Sequence, residues 1–314
     1  MAIGPSMSRL RAVARLARHS TIVLMVLACS QHADALDPAR TLSQYVHRIW
    51  QVQQGLPQAS IYSIVQTQDG YLWLGTQTGL VKFDGVHFTT LDEADGLSSA
   101  GTWVTHMVEG DQGALWIGTN QAGLIKLERG TVSRYSRKEG LPSDTVQCLF
   151  NDRHGAVWAC TPNGLVEVSR GTLRVFGTAE GLASPNIHGA CAAPDDTVIV
   201  GDGDSDISTW NGARFLSRRL TLPDSATLRT MLCAADGAVW VGTSDGLIRL
   251  RGGREDRLTV ANGLADNSIM MLREGRDGSV LVGTNNGFTR IRGSEIESFR
   301  PQDGLSQSTV YALY

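Results

Sequence analysis

Apolar residues along this chain gather in short, strand-length runs, and the runs return in one order every 41 to 43 residues. The clearest run is Leu72-Trp73-Leu74-Gly75-Thr76. It returns as Leu115-Trp116-Ile117-Gly118-Thr119, Val157-Trp158-Ala159-Cys160-Thr161 and Val239-Trp240-Val241-Gly242-Thr243. Val280-Leu281-Val282-Gly283-Thr284 carries Leu in the Trp place, and Val198-Ile199-Val200-Gly201-Asp202 is a worn copy. A fixed period of this size marks a repeat architecture. The run is apolar in both phases, whereas a strand with one wet face alternates. Its continuity says that both faces are covered.

The punctuation between runs repeats as well. A Gly-Leu pair opens a copy, as in Gly55-Leu56, Gly140-Leu141 and Gly263-Leu264. A run such as Ile61-Tyr62-Ser63-Ile64-Val65 follows, then a turn of the Asp69-Gly70 kind, whose Gly accepts the positive φ of a tight hairpin. The Trp run comes next, then a second Gly-Leu (Gly79-Leu80). A further Gly (Gly85) precedes a last run carrying Phe or Tyr: Phe88, Tyr135, Phe176, Phe215, Phe299. Four strands per copy, divided by Gly-rich turns, predict four-stranded antiparallel sheets packed face to face around an axis. That is an all-β propeller, for which about 40–45 residues per blade is usual. Helical repeats are disfavoured by 35 Gly in 314 residues, because Gly costs roughly 1 kcal/mol against Ala inside a helix.

The propeller is expected over 44–314, with blades near 56–93, 97–138, 141–178, 182–220, 222–261 and 264–302. Residues 44–52 read as a spare outer strand and 307–314 as a spare inner strand. The expectation is therefore six full blades plus an incomplete seventh. On this reading the sequence is an N-terminal piece of a longer chain, or comes from a broken gene.

Composition changes this picture little. The chain is 42% apolar and 19% charged, with net charge −3, an ordinary globular balance. Without a basic excess, nucleic acid is not an expected partner. Residues 1–35 read as a secretory signal peptide: Arg9, Arg11, Arg15 and Arg18, an apolar core over 20–28, and Ala33-Asp34-Ala35 at the cleavage position. An uncleaved anchor and a lipoprotein box ending at Cys29 are the alternatives. Residues 36–43 are a polar lead-in. No second apolar segment has membrane length, so membrane attachment is expected only through a missing downstream helix. Cys148, Cys160, Cys191 and Cys233 fall at different offsets from the Trp place and match no zinc spacing, so they read as small buried strand residues.

The phrase Gly-Leu-Pro … Asp-x-x-Gly-x-Leu-Trp-x-Gly-Thr-x-x-Gly-Leu-x-x-Phe-x-Gly resembles the two-component regulator propeller repeat, in register over several copies across about 42–314. The opening Tyr45-Val46-His47-Arg48-Ile49-Trp50-Gln51-Val52 resembles the start of that family's sensor region. The resemblance implies a periplasmic sensor domain that feeds a histidine kinase or diguanylate cyclase through a membrane helix. It also implies a homodimer through the parent receptor. None of the output motifs is in this sequence, so the sensing half alone is expected here, without enzymatic activity of its own.

Ligands of a propeller meet loops at one mouth of the ring. One loop set follows the Gly-Leu pairs and another follows the Trp run, and both are rich in amides and carboxylates. The candidate ligand-binding residues are Gln58, Gln77, Trp103, Asn120, Asn163, Asn186, Asp202, Asp245, Asn267 and Asn286. They suit a polar small molecule or an oligosaccharide, although Asn, Asp and Ser also favour turns for their own sake. Trp103 lies outside the Trp register and is the stacking candidate. Asp202, Asp204 and Asp206 alternate like the start of a calcium loop, but Ile207 and Ala213 stand where that loop wants Gly and Glu. No cofactor and no metal site is expected. Two alternatives stay open: a scaffold that binds proteins on the ring face, and a metal-dependent propeller lyase of the streptogramin type drawing on His106 and His188.

Overall fold

The computed structural model describes residues 48–91, 102–223 and 225–314. The signal-peptide and lead-in segments lie outside the described residues, as do 44–47 of the first spare strand and the turn around Ser98-Ser99. Six four-stranded antiparallel sheets form a ring of six blades, each with its strands hydrogen-bonded in chain order. Blade one comprises Ile61–Gln66, Leu72–Thr76, Gly79–Phe83 and Phe88–Leu91, from the central channel outward. The inner strands of the next five are Trp103–Glu109, Cys148–Asn151, Ile187–Ala192, Leu228–Cys233 and Ile269–Glu274.

The core lies between blades. Trp116 and Leu124 of blade two pack with Val146, Leu149 and Val157 of blade three. Leu115 and Ile117, the neighbours of Trp116, face the other way, onto Trp73 and Leu80 of blade one. This explains the unbroken apolar run: alternate residues serve opposite neighbours. Trp73, Trp116, Trp158 and Trp240 are all buried. A cation from the facing strand covers three of them, with Lys82, Lys126 and Arg249 lying 5.5, 5.6 and 5.2 Å from the rings of Trp73, Trp116 and Trp240.

The Gly-Thr phrase does two jobs. The Thr hydroxyl is buried and closes the next turn, donating to Gly79 O at 2.9 Å from Thr76 and to Gly123 O at 2.7 Å from Thr119. The Gly lets the next blade approach. A Cβ on Gly75 would stand 2.6 Å from Val104 Cγ1, one on Gly118 2.6 Å from Val146 Cγ1, and one on Gly242 2.6 Å from Ile269 Cγ2. Val104 and Ile269 are the first aliphatic residues of the following inner strands, and Val146 lies just before that of blade three. In blade four, Asp202 replaces Thr and its Oδ1 accepts from Asp204 N and Asp206 N at 3.0 and 2.9 Å.

One expectation needs correction. The cysteines are not isolated buried residues but two disulfides, Cys148–Cys160 and Cys191–Cys233. Cys148 sits directly opposite Cys160 in the blade-three ladder, with Cys160 in the place of the usual Gly. Cys191 and Cys233 join the inner strands of blades four and five. Sheet register and blade contact set these pairs, and spacing counted from the Trp place does not reveal either. Of the expected spare strands, the described residues 48–52 and 305–314 join no ladder, and Val52–Gln54 forms a 3-10 turn. The 305–314 segment still docks on blade six as inner strands do on preceding blades. Val310 N donates to Thr284 O at 2.9 Å, just as Val146 N donates to Thr119 O at 2.8 Å.

Two outcomes are expected in urea unfolding. Gly118→Ala costs about 1–3 kcal/mol by overpacking against Val146, and adding Val146→Ala recovers part of the loss. An unchanged midpoint would contradict the close blade contact. Joint replacement of Cys191 and Cys233 by Ser lowers stability by about 2–4 kcal/mol, as loss of a cross-link between distant residues does.

Candidate functional site

Both expected loop sets meet on one face of the ring. Gln58 Nε2 donates to Gln77 Oε1 at 2.9 Å, Asn163 Nδ2 to Pro142 O at 3.0 Å, and Asn267 Nδ2 to Asp245 Oδ1 at 3.1 Å. These bonds join one set to the other. They also occupy much of the expected rim: Asp245 is further held by Arg257, Asn267 Oδ1 accepts from Val260 N at 2.8 Å, and Asn120 accepts from Thr145 at 3.4 Å. Asp202 is buried with its carboxyl on its own backbone turn, and burial raises its pKa above the usual carboxylate value. Asn286 is exposed at its turn. Asn186 leans inward, with its Nδ2 3.0 Å from His188 Nε2. The Trp103 ring packs 5.2 Å from that of Tyr62.

Just inside this rim the structure holds a second, more regular set of residues. In blades one, two, four, five and six the inner strand carries a β-bulge at the same place, between Ile61 and Ser63, Val104 and His106, Ile187 and Gly189, Leu228 and Thr230, and Ile269 and Met271. A bulge re-aims a side chain. The residues so placed are Tyr62, Thr105, His188, Arg229 and Met270. Gln147 holds the matching position in blade three, and Tyr311 in the segment docked on blade six. All of them line a central channel of about 770 Å³, within the range of small-molecule sites, roughly 300–1,000 Å³.

Sequence reasoning missed this ring, yet a signal was present. The residue before each bulge is aliphatic in every copy: Ile61, Val104, Val146, Ile187, Leu228, Ile269, Val310. The next residue changes chemistry from copy to copy. A constant packing position followed by a variable one separates scaffold from reading head.

The ring has two arcs. Met270, Tyr311 and Tyr62 form an apolar and aromatic arc, with the Tyr62 and Tyr311 rings 5.0 Å apart and Trp103 behind Tyr62. Thr105, Gln147, His188 and Arg229 form a polar arc. Thr105 is committed to Gly118 O and Val146 O at 3.1 and 3.0 Å. Arg229 Nη1 donates to Ser268 Oγ at 2.8 Å and lies 3.4 Å from Met270 Sδ. Four buried polar atoms around or beside the channel have no partner: Trp103 Nε1, His106 Nδ1, Gln147 Oε1 and Asn151 Oδ1. Such groups are rare in folded proteins, where buried polar atoms are usually bonded to protein or to something bound.

The channel titrates little near neutral pH. His106 opens onto it only partly, and burial pushes its pKa down to about 4. Burial also lowers His188, against the opposing pull of Asp202 and Asp204. Burial and the neighbouring Tyr311 raise the Tyr62 phenol, against weaker hydrogen bonds from Gln77 and Ser60. Among the described residues, no group of three or more His, Cys, Asp or Glu is arranged to hold a metal ion.

The family model of the two component regulator propeller matches residues 55–78, from the first Gly-Leu through the first Trp run. No curated protein sequence matches it. Among solved structures it is similar to the extracellular domain of a protein named as a hybrid two component system from B. thetaiotaomicron. That match has 22% identity and a TM-score of 0.72, over 84% of this chain and 38% of that one. A second such domain from the same organism matches at 18% identity and a TM-score of 0.64, over 81% of this chain and 37% of that one. Virginiamycin B lyase from Staphylococcus aureus matches at 13% identity and a TM-score of 0.64, over 76% and 84%. At these identities the likeness is one of fold. This chain spans well under half the length of the two-component proteins. No helix among its described residues is long and apolar enough to cross a membrane.

The His106 environment makes stability depend on pH. The unfolded imidazole takes up a proton near pH 6.5, while the folded one resists until about 4. Stability present above pH 6.5 is therefore lost as pH falls toward 4, at up to about 1.4 kcal/mol per pH unit from this group. His106→Gln should flatten that limb in urea titrations from pH 7 to 4. An unchanged slope would show that the ring is freely solvated.

Proposed function

We propose that this chain is the ligand-receiving propeller of an exported signal-transduction receptor. Its channel mouth binds a polar ligand with an apolar face, of which an oligosaccharide fragment is the best fit. The observation that carries this reading is the bulge ring: one variable side chain per blade, aimed into one cavity, with an aromatic arc facing a polar one. A sugar presents the same division, C–H faces on one side and hydroxyls at its edge. Gln147, His188 and Arg229 of the polar arc supply acceptors and donors for those hydroxyls. Likeness to two-component extracellular domains supports the sensing role. The disulfides support a compartment outside the cytoplasm, the periplasm on this reading, since such bonds persist in oxidising surroundings. Kinase or cyclase output, and the membrane helix leading to it, belong on this proposal to the parent receptor.

Calorimetry against a set of oligosaccharides tests the site. Tyr62→Ala and Trp103→Ala should each weaken binding about tenfold or more, in line with loss of a stacking contact worth about 1–3 kcal/mol, while circular dichroism stays unchanged. Binding that survives both substitutions would move the ligand elsewhere on the ring.

A further inference from the structure

The bulge position of blade five is the one cation in the ring, and its setting says what charge the ligand carries. We propose, resting on the sugar-binding reading above, that the ligand is an acidic sugar. Its pyranose face lies on Tyr62 and Tyr311, and its single anionic group lies on Arg229.

Arg229 differs from several arginines on the outer strands. Arg218, Arg257, Arg290 and Arg292 each meet a carboxylate: Glu255, Asp245, Glu297 and Asp277. Among the described residues no carboxylate pairs with Arg229, and the partners of its guanidinium are the neutral Ser268 hydroxyl and Met270 sulfur. Those contacts orient the group without neutralising it. Ser268 is itself held by Asn285 Nδ2 at 3.1 Å, so the guanidinium is steadied from below. Its remaining N–H donors are left for an oxyanion, which a planar guanidinium grips by two parallel bonds. A cation in a cleft with low-dielectric walls also draws anions toward it.

The carboxylates of Asp202 and Asp204 lie on the His188 side of the polar arc, so an anionic group of the ligand is placed at Arg229 and away from blade four. A uronate carboxylate and a sulfate ester offer this chemistry equally, and both sit at the edge of a sugar ring whose opposite face can meet an aromatic wall. The arrangement makes that geometry natural: Met270, in contact with Arg229, is also the neighbour of Tyr311 in the ring, so charge and stacking surface adjoin.

The test uses the full chain and calorimetry with three disaccharides of one linkage: neutral, uronate-bearing and sulfated. The acidic sugars are expected to bind about tenfold or more tightly than the neutral one, and added salt should erode that advantage. Arg229→Gln should weaken the acidic sugars far more than the neutral one and so close the gap between them, and Arg229→Lys should restore part of it. The uronate and sulfate arms decide which acid the guanidinium prefers, and a preference for either supports the proposal. Equal binding of neutral and acidic sugars, unaffected by Arg229→Gln but lost in Tyr62→Ala, overturns the acidic ligand and leaves the sugar site standing. Binding of no sugar, or binding indifferent to both Tyr62→Ala and Arg229→Gln, overturns both.

Discussion

The contact on which this ring depends is an aliphatic side chain resting on a bare glycine. Gly75 receives Val104, Gly118 receives Val146, and Gly242 receives Ile269, each at a distance that no Cβ could share. The contact brings the inner strand of one blade against the second strand of the blade before it. At the same spot the flanking Thr, buried and bonded to the turn carbonyl, leaves no polar group unanswered. Blade four, with Asp202 for Thr, keeps the arrangement by closing its turn with a carboxylate. Its Gly201 still lies where a Cβ would meet Leu228 at 2.4 Å. The Trp could be lost from that blade, replaced by Ile199, while the glycine stayed. Blade three is the exception: Cys160 stands in the glycine's place, tied to Cys148 and packed in one cluster with Ile187 of the next blade.

That contact also positions the reading residues. With the aliphatic residue pinned between blades, the strand must regain its pairing register, and it does so through a bulge that leaves the next residue outside the ladder. The freed side chain turns to the channel. Packing and recognition therefore sit on consecutive residues, Leu228 and Arg229 for example, and answer to different demands. Leu228 is fully buried and must fit its glycine. Arg229 touches Ser268 and Met270 of the following blade. Because each blade contacts chiefly the one before and the one after, stability approximates a sum of neighbour terms. One bulge residue can change without propagating through the fold.

Much of the architecture was legible because repeats expose their own grammar. The Trp runs gave the period, and the unbroken apolar phase gave burial on both faces, which the alternate packing of Trp116 and Ile117 explains. The Gly-Leu and Asp-Gly punctuation gave the strand ends. The disulfides were not legible, because Cys191 and Cys233 meet only once blades four and five stand side by side. The rim was legible as a place but not as chemistry. Asn163, Asp245 and Asn267 do gather at the mouth, yet they hydrogen-bond to other loops there, as turn residues do. The bulge ring was hidden for a different reason. Attention to what repeats passes over the position that varies, and a variable residue looks like noise until a register shift shows where it points.

The unanswered polar atoms bear on how such a site can be stable. A buried donor or acceptor without a partner costs about 1–3 kcal/mol, and several gather in the walls of blades two and three. A small single-core domain would be strained by that sum. Here the cost falls between interfaces that are already filled: Trp73 with Val104 and Met107 on one side, Trp116 with Val146 and Leu149 on the other. Further round the ring, the Cys191–Cys233 cross-link fastens blades four and five, the blades that present His188 and Arg229. The polar arc is thus held by strong packing at one end and a covalent tie at the other. An arc fixed at both ends can keep Gln147, His188 and Arg229 aimed at an empty channel without collapsing on them. A ligand that bonds to these groups meets donors and acceptors already in place, so less of its binding energy is lost to ordering the site.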